Sequence, residues 1–399
     1  MKYIAYRYRL YPNEEQKVLI AKHLGSCRFI YNYALAKKVK AYQVDGTNLS
    51  RFDIQADLPN MKKSDEYCWL KEVNSLSLQA SLANLDSAYT KFFREHKGFP
   101  NFKSKKDSKQ SFSIPQNTKV DFENGRIFIP KFKSGIKAIL HRTFDGIVKT
   151  STITRTSTGK YFISILVEVD EPDVSMKPIC ENKAVGIDLG IKTFAVLSDG
   201  TEIPNPKHLK QSLDKVKKLQ RSLLHKTKGS KNRDKARRKL ALAHEQVTNR
   251  RNDFLHKVTS YLVNNYDTIC LEDLNVKGMI KNHHLAQSLS DIAIGTFNTL
   301  LEYKAKERGV NILRIGRFEP SSKMCTCGYI NHNLTLAMRE WTCPECGTIH
   351  YRDLLAAINI KRFAFRNINT VGATEIHACG DMSGVTHSAQ EAHKSSVCG

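Results

Sequence analysis

Residues 184–190 read Ala-Val-Gly-Ile-Asp-Leu-Gly, an apolar strand that is interrupted by a single acid, Asp188. The apolar run 191–197 reads as its hairpin partner, and Asp199-Gly200 reads as the turn that follows. A buried carboxylate is costly unless it is paired or binds a metal. The pattern therefore predicts a buried sheet whose central strand carries a chemically informative acid.

Two further acids lie at the ends of predicted elements. Glu272 closes a strand at 268–271, and Asp353 opens a helix at 352–365. Converging carboxylates favour hard cations such as Mg²⁺ or Mn²⁺. Two such ions about 3.5–4 Å apart can activate water and stabilise the leaving oxygen of a phosphodiester. The alternative is that these acids are solvated, because acids at strand ends are common, and spacing alone leaves both interpretations open.

Four cysteines between residues 325 and 346 predict a metal site. Cys343-Pro-Glu-Cys346 followed by Gly347 is typical of a zinc knuckle, in which glycine supplies a positive φ. The upstream pair is one residue shorter than the usual C-x-x-C, so a weak or distorted site is conceivable, with His332 or His350 as a replacement ligand. We predict a structural Zn²⁺ bound by Cys325, Cys327, Cys343 and Cys346.

The composition indicates a polyanionic partner. The chain has 399 residues, and its 63 Lys and Arg exceed its 39 Asp and Glu by 24 charges. No run approaches the ~20 apolar residues of a membrane span, so we expect nucleic acid rather than a membrane. The opening residues MKYIAYRYRL contain no secretory h-region, so we expect a cytoplasmic, nucleoid-associated protein whose ten cysteines are reduced or bind metal.

Two segments concentrate the basic residues. Residues 97–106 interleave lysines with Phe99 and Phe102, a pattern that suits phosphate contact and base stacking, although a solvated loop is the alternative. Residues 207–251 predict a basic helical hairpin broken at Gly229-Ser230, with too few acids for pairing within the helices. The predicted nucleic-acid contacts in these segments are Lys97, Lys103, Lys105, Lys106, Lys217, Lys218, Arg221, Lys231, Arg237 and Arg238.

The N-terminal part predicts a different organisation. A strand at 3–10 precedes two helical stripes, one from Pro12 to about residue 43 and one at 76–94. Short alternating strands then follow between residues 111 and 169, typical of a β-rich module.

An ordered set of motifs identifies a family. The sequence contains RYRLYPNEEQ, KGFPNFKSKK, GIDLGIKTFAVLSDG, LEDLNVKGM, PSSKMCTCG, REWTCPECGTIHYRD and AAINI, in that order. It resembles the OrfB/TnpB family of insertion-sequence proteins, which are relatives of the type V CRISPR effector nucleases. The resemblance runs almost end to end, and the order of the motifs makes it specific.

The resemblance implies a fold and a set of roles. The fold would be α/β with β-rich and helical modules: an RNase H-like, RuvC-type nuclease core with an inserted zinc ribbon, preceded by helical recognition and β-barrel-like wedge domains. Asp188, Glu272 and Asp353 would be the metal-binding catalytic acids. The N-terminal domains would hold a guide RNA and a short motif flanking the DNA target, and Gln79 matches a position that reads this motif.

The implied domain boundaries follow the motifs. We expect a wedge module at 1–10 with 111–180 and a recognition module at 11–110. The nuclease core would occupy 181–320 with 351–368 and include the basic hairpin at 207–251. A zinc ribbon at 321–350 and a flexible tail at 369–399 would complete the chain.

The expected function is that of a transposable-element RNA-guided DNA endonuclease. Its partners would be a guide RNA, a double-stranded DNA target and the displaced single strand, with the oligomeric state left open. Three departures from the family pattern affect this expectation: the short Cys325/Cys327 pair, Tyr351 in place of Asp, and Leu355 in place of Asn. Two alternatives therefore stay open, a nuclease-impaired RNA-guided DNA-binding protein and a strand-transferring transposase.

Overall fold

The structure is a computed structural model that describes residues 1–107, 109–172, 174–275, 278, 291–335 and 337–371. The chain divides into two compact units, Met1–Asp173 with Lys218–Glu245, and Val174–Lys217 with Gln246–Gly399. The expected tail at 369–399 lies, beyond residue 371, outside the described residues. No described helix is both long and apolar enough to cross a membrane.

Three helices belong to the first unit: α1 (Glu14–Asp45), α2 (Arg51–Lys63) and α3 (Ser75–Glu95). Helices α1 and α3 form where the two apolar stripes predicted them, whereas α2 was not predicted. Asn13 and Gln16 form a reciprocal capping box that starts the first helix, as the acids after Pro12 suggested. The third helix ends at His96, which adopts a left-handed conformation with φ of 49°. A short 3-10 helix at Cys68–Glu72 lies between α2 and α3.

The first unit also contains a seven-stranded antiparallel sheet in the order β2-β6-β7-β1-β5-β4-β3. Strand β7 alternates buried and partly exposed residues along its whole length, the pattern of a sheet with one covered face. The strands are β1 (Lys2–Tyr11), β2 (Lys109–Ile114), β3 (Lys119–Asp121), β4 (Arg126–Phe128), β5 (Ile136–Ile139), β6 (Ile147–Thr156) and β7 (Tyr161–Val169).

A buried histidine connects α1 to the start of α3 in this unit. His23 Nδ1 donates to the Leu19 carbonyl at 2.9 Å, and Nε2 accepts from the Asn74 backbone N–H at 3.1 Å. The Asn74 side chain in turn caps α3 by accepting from the Leu76 N–H. Burial lowers the pKa of His23, so the imidazole is neutral and its two nitrogens play these opposite roles.

The second unit is built on a mixed five-stranded sheet in the order β10-β9-β8-β11-β12. Strands β8, β9 and β10 pair antiparallel, whereas β8 with β11 and β11 with β12 pair parallel. The hairpin predicted after residue 190 is confirmed. The strands are β8 (Ala184–Leu189), β9 (Thr193–Leu197), β10 (Glu202–Pro204), β11 (Thr268–Glu272) and β12 (Asn311–Ile315).

Helices cover both faces of this sheet, which explains the nearly continuous apolar character of β8 and β11. Val185 and Ile187 face a core shared with residues of α5 (Lys231–Asn265) and α6 (Ile294–Arg308). The opposite face, which includes Ala184 and Cys270, packs against α7 (Arg352–Val371). The mixed α/β class predicted from the sequence is confirmed.

Gly186 brings α7 unusually close to β8. A Cβ atom at this position would lie 2.1 Å from the Ala357 carbonyl oxygen and 2.8 Å from the Lys361 nitrogen. Only glycine allows this backbone approach. The contact places the first turns of α7 directly over the strand that carries Asp188.

Candidate active site and metal centre

The sheet register places two of the predicted acids side by side. Leu271 of β11 lies opposite Ile187 of β8 in a parallel pair, so Glu272 and Asp188 come next on their strands. Alternation along a strand puts Asp188 on the same face as Gly186, and Glu272 on the same face as Cys270. This is the face that α7 covers.

The third acid reaches the same face from the helix. Ala357 of α7 lies against Gly186, and Asp353 precedes Ala357 by four residues, or about one helical turn. The helix runs opposite to the strand, so Asp353 approaches the end of β8 that carries Asp188. Asp188 is half-buried, and loss of water contact raises the pKa of its carboxyl to about 7, with Glu272 and Asp353 adding to the rise. Arg352 and Arg339 partly oppose this shift in pKa.

Glu272 is oriented by a hydrogen-bond chain that the sequence reasoning missed. The Ser321 hydroxyl donates to Glu272 Oε1 at 2.5 Å. The amide of the fully buried Asn359 donates to the carbonyls of Ser321 at 2.8 Å and Met324 at 2.6 Å. The signal was available, because Ser321 lies in PSSKMC and Asn359 in AAINI, but neither motif by itself shows what it contacts.

Asp353 is held by Arg339, which the sequence reasoning also missed. Arg339 Nη1 donates to Asp353 Oδ1 at 3.1 Å and to Oδ2 at 3.2 Å. A two-stranded ribbon, β13 (Glu340–Thr342) and β14 (Ile349–Tyr351), brings Arg339 and Asp353 together. The Arg352 N–H donates to the Arg339 carbonyl at 2.9 Å, which extends the ribbon by one hydrogen bond, and Asp353 follows Arg352 directly.

The three carboxylates are spaced more widely than a preformed closed metal cluster. Among the described residues, the four predicted cysteines are the one set of three or more Cys, His, Asp or Glu whose ligand atoms all lie within 4.8 Å of one another. The donor set nevertheless fits a hard divalent cation, because Asp188 and its two carboxylate neighbours, Glu272 and Asp353, offer the oxygen ligands that such an ion prefers.

A basic cavity of about 340 Å³ lies beside this acidic set. Four cationic side chains line it, and one of them, Arg339, is the partner of Asp353. Asp291 is the acid among the lining residues. The cationic residues are Lys192, Lys207, Lys210 and Arg339.

The four cysteines converge as predicted, despite the short first pair. The Cys325 and Cys346 sulfurs are 3.5 Å apart, and those of Cys327 and Cys343 are 3.7 Å apart. Tetrahedral ligands at Zn–S distances of about 2.3 Å are separated by similar distances, so the thiols could bind a structural metal such as zinc. The turn at Gly328, with φ of 104°, lets two cysteines only two residues apart face the same point.

His350 lies next to the thiols rather than replacing one of them. Its Nε2 is 3.0 Å from Cys325 Sγ, and its ring packs against Trp341 at a centroid distance of 4.8 Å. Hydrogen bonds from Thr348 lower the pKa of Cys346 to about 6, which favours the thiolate that a metal binds.

The two departures in the third acidic motif have different surroundings. Tyr351 is exposed at the end of β14. Leu355 is buried in an apolar cluster with Cys325, Cys343 and Trp341. Leu355 therefore contributes to the packing of α7 against the ribbon, while Asp353 is close enough to Asp188 to raise its pKa.

The predicted contacts at 97–106 are exposed, with different local roles. Lys97 pairs with Glu95 at 3.0 Å. The Lys103 ammonium lies 3.9 Å from the centre of the Tyr31 ring. The Lys103 backbone exchanges two hydrogen bonds with the Asn32 side chain, its N–H donating to Oδ1 and its carbonyl accepting from Nδ2. Lys105 and Lys106 are exposed. This segment is therefore a loop fixed to α1 with part of its charge directed outward.

The basic hairpin forms at the predicted break. α4 (His208–Leu224) ends before Gly229, whose φ is 87°, and α5 begins at Lys231. Arg233 closes the turn by donating to the carbonyls of Leu223 and Lys226. The six predicted contacts here are exposed, and among the described residues only Arg237 has an acidic partner, Asp234 at 3.0 Å. Gln79 is half-buried on α3 and makes no hydrogen bond to another described residue through its side chain.

Comparison with known proteins decides the family. A protein of Streptomyces pristinaespiralis is 37% identical over 380 residues, covering 94% of this chain and 91% of that protein. An Escherichia coli K12 protein, InsQ, is 32% identical over 393 residues, covering 95% and 94%. Both carry the provisional name RNA-guided DNA endonuclease. The chain belongs to the OrfB/TnpB family. This confirms the family predicted from the motifs.

Family profiles match three parts of this OrfB/TnpB protein. The profile described as "Probable transposase" matches residues 164–283, a region that contains Asp188 and Glu272. A profile described as the Cas12f1-like TNB domain matches residues 295–360, which include the four cysteines and Asp353. A helix-turn-helix profile of the same family matches residues 1–47.

A solved structure shares the fold. The protein chain of a Cas12f1–sgRNA–target DNA complex, determined by cryo-EM, superposes with a TM-score of 0.53 over 87% of this chain and 83% of that chain. The sequences are 16% identical, so the similarity concerns the fold alone.

Proposed function

We propose that this OrfB/TnpB protein is an RNA-guided DNA endonuclease of a transposable element, acting in the cytoplasm on nucleoid DNA. The observation that carries the proposal is the Asp188 carboxyl, whose pKa is raised to about 7 beside Glu272 and Asp353. A strongly shifted acid with specific charged neighbours is typical of a functional site. The names of the two full-length relatives supply the reaction class.

The acids would form an RuvC-type centre in an RNase H-like core. Bound Mg²⁺ or Mn²⁺ would supply water activation and charge neutralisation at the leaving 3′ oxygen of the DNA strand. Asp188, Glu272 and Asp353 provide the oxygen ligands, and the Ser321 hydroxyl fixes the orientation of Glu272. Arg339 and the lysines of the neighbouring cavity bind the phosphates of the strand that is cut.

The remaining parts would position the nucleic acids. A guide RNA would pair with the target strand, and the exposed cations of 97–106 and of the α4–α5 hairpin would contact phosphates without reading sequence. Gln79 would read the motif that flanks the target. In this organisation the wedge module is 1–10 with 111–180, recognition 11–110, the nuclease core 181–320 with 351–368, and the zinc ribbon 321–350.

Cleavage of a plasmid bearing a guide-matched site tests the proposal. Wild-type protein purified with its RNA should linearise the plasmid in Mg²⁺, and Asp188→Ala should reduce the rate by roughly 10³-fold or more. Asp253→Ala is a matched control, because Asp253 is an exposed acid on α5 that pairs with Lys257 at 2.8 Å. Cleavage by Asp188→Ala at the wild-type rate would refute the nuclease assignment.

A second candidate, an RNA-guided DNA-binding protein with impaired cleavage, is favoured by one observation. Arg339 occupies both oxygens of Asp353, and the three acids are more widely spaced than the thiols. This candidate predicts guide-dependent target binding with an intact plasmid in both Mg²⁺ and Mn²⁺. Covalently joined products in place of simple breaks would instead indicate a strand-transferring transposase.

A further inference from the structure

An aromatic cavity in the first unit has no part in the function proposed so far. It has a volume of about 620 Å³, within the range of about 300–1,000 Å³ that is usual for small-molecule sites. It lies between the C-terminal halves of α1 and α3, and residues 47–48 and Phe99 complete its wall. The acids, the thiols and the basic hairpin are not among its lining residues.

Five aromatic rings dominate the lining. Phe93 packs parallel to Tyr89 at 6.3 Å between centroids, and Phe99 meets Tyr89 edge-on at 5.6 Å and Phe92 edge-on at 5.4 Å. These contacts fix the rings with respect to one another. Phe93 and the fifth ring, Tyr42, are nevertheless 68% and 69% exposed, so both present much of their ring surface to the open cavity.

The charges of the cavity indicate what it binds. The Lys38 ammonium lies 5.3 Å from the centre of the Tyr89 ring, and Arg94 also lines the cavity. Asp86 is the acid of the lining, so cations are in excess. Gln43 and Asn48 add amide groups that can pair with base edges or with a ribose hydroxyl. Flat apolar rings together with excess cations match a nucleotide, which has an aromatic base and an anionic phosphate.

We propose that this cavity holds the base of one unpaired nucleotide of the RNA that the protein carries. The base stacks on the exposed faces of Phe93 and Tyr42, and Lys38 and Arg94 contact its phosphates. RNA is the chosen occupant because proteins recognise RNA chiefly through unpaired loop bases that stack on aromatic rings. The inference rests on the RNA binding of the proposed function and is independent of DNA cleavage.

Ultraviolet crosslinking of the full-length protein, purified together with its cellular RNA, tests the proposal. After nuclease digestion, mass spectrometry should find a ribonucleotide adduct on a peptide that contains Tyr42 or Phe93. The double variant Phe93→Leu with Tyr42→Leu should lose this adduct and keep adducts elsewhere. Phe52→Leu is the matched control, because Phe52 is an exposed ring, 65% accessible, on α2 outside the cavity.

Affinity supplies a second readout. The double variant should weaken binding of the purified cellular RNA by roughly 5- to 100-fold, the effect expected for removing one stacked base. The slope of log K against log salt should not change, because the phosphate contacts remain. Lys38→Gln with Arg94→Gln should lower that slope.

The outcomes separate this inference from the proposed function. RNA that co-purifies and crosslinks only outside the cavity, with unchanged affinity in the double variant, would overturn the cavity assignment and leave the guided nuclease intact. A deoxyribonucleotide adduct in the cavity would also overturn it, because the occupant would be DNA. Absence of any co-purified RNA would contradict both proposals.

Discussion

Asp188 combines burial with two neighbouring carboxylates, and this combination has a measurable effect on stability. The pKa of its carboxyl rises from 3.8 to about 7 on folding. An acid with a raised pKa contributes stability that is full below the unfolded pKa and is lost as the pH rises through the folded pKa. Without a divalent cation, the protein should therefore lose stability between pH 4 and 7.

Asp188→Asn should remove this loss. In buffer without added Mg²⁺ or Mn²⁺, the free energy of unfolding of the variant should rise relative to that of the wild type between pH 5 and pH 8, by at most about 3 kcal/mol. Urea denaturation at the two pH values measures the difference. Asp253→Asn should show no such trend, and a gain for Asp188→Asn that is equal at both pH values would contradict the electrostatic origin.

In the proposed nuclease centre, Arg339 would compete with a cation for Asp353. Because it bonds both carboxylate oxygens at 3.1 and 3.2 Å, a divalent ion must displace it or share the carboxylate. Arg339→Ala should raise Mn²⁺ affinity up to about 5-fold, the usual value of an exposed ion pair. Calorimetric titration provides the measurement. Arg317→Ala, which removes an ion pair to Asp273 of 2.8 Å, is the control and should leave the affinity unchanged.

At the scale of elements, the contact between β8 and α7 sets the position of Asp353. Gly186→Ala would place a methyl group 2.1 Å from the Ala357 carbonyl, so helix and strand must separate. We expect a loss of about 1–3 kcal/mol in unfolding free energy from overpacking, together with a slower cleavage rate. Gly295→Ala on α6 has open space around its Cβ and should be neutral or slightly stabilising. Equal stabilities in thermal unfolding would refute the close approach.

The binding of zinc by the four thiols can be tested with a single substitution. Cys343→Ser should reduce bound zinc from about one ion per chain to nearly none, because a structural site needs all four ligands. Metal analysis of purified protein gives the answer. Cys68→Ser, which changes an exposed free cysteine of the 3-10 helix, should retain the metal. Equal metal contents in the two variants would exclude the zinc site.

Helices and strands were predicted correctly where one local sequence pattern determines the structure. Apolar spacing gave α1 and α3 to within a few residues, with the acids after Pro12 marking the start of α1. The apolar run 191–197 pairs with β8 as its pattern predicted. The contacts of Ser321, Arg339 and Asn359 could not be predicted, because each joins elements that are distant in sequence. The short cysteine pair was misleading for a related reason, since spacing along the chain does not fix the turn at Gly328.

At the scale of the whole molecule, the surplus of 24 positive charges governs association with nucleic acid. Replacing Lys217, Lys218 and Arg221 with glutamine should lower the slope of log K against log salt by about one for each phosphate that these side chains neutralise. A salt titration of RNA affinity measures this slope. Lys257→Gln, at a lysine paired with Asp253, should leave it unchanged. A slope that is flat in the wild type would contradict binding through phosphates.

Asn359 connects the segment that leads into the thiol cluster with the Glu272 carboxylate. Its amide holds the backbone just before Cys325, and the Ser321 hydroxyl on that same backbone holds Glu272. The Glu272 carboxylate thus takes its alignment from the peptide that leads into the thiol cluster. We therefore expect removal of a metal from the thiols to disturb the Glu272 carboxylate as well, so that a zinc chelator slows DNA cleavage.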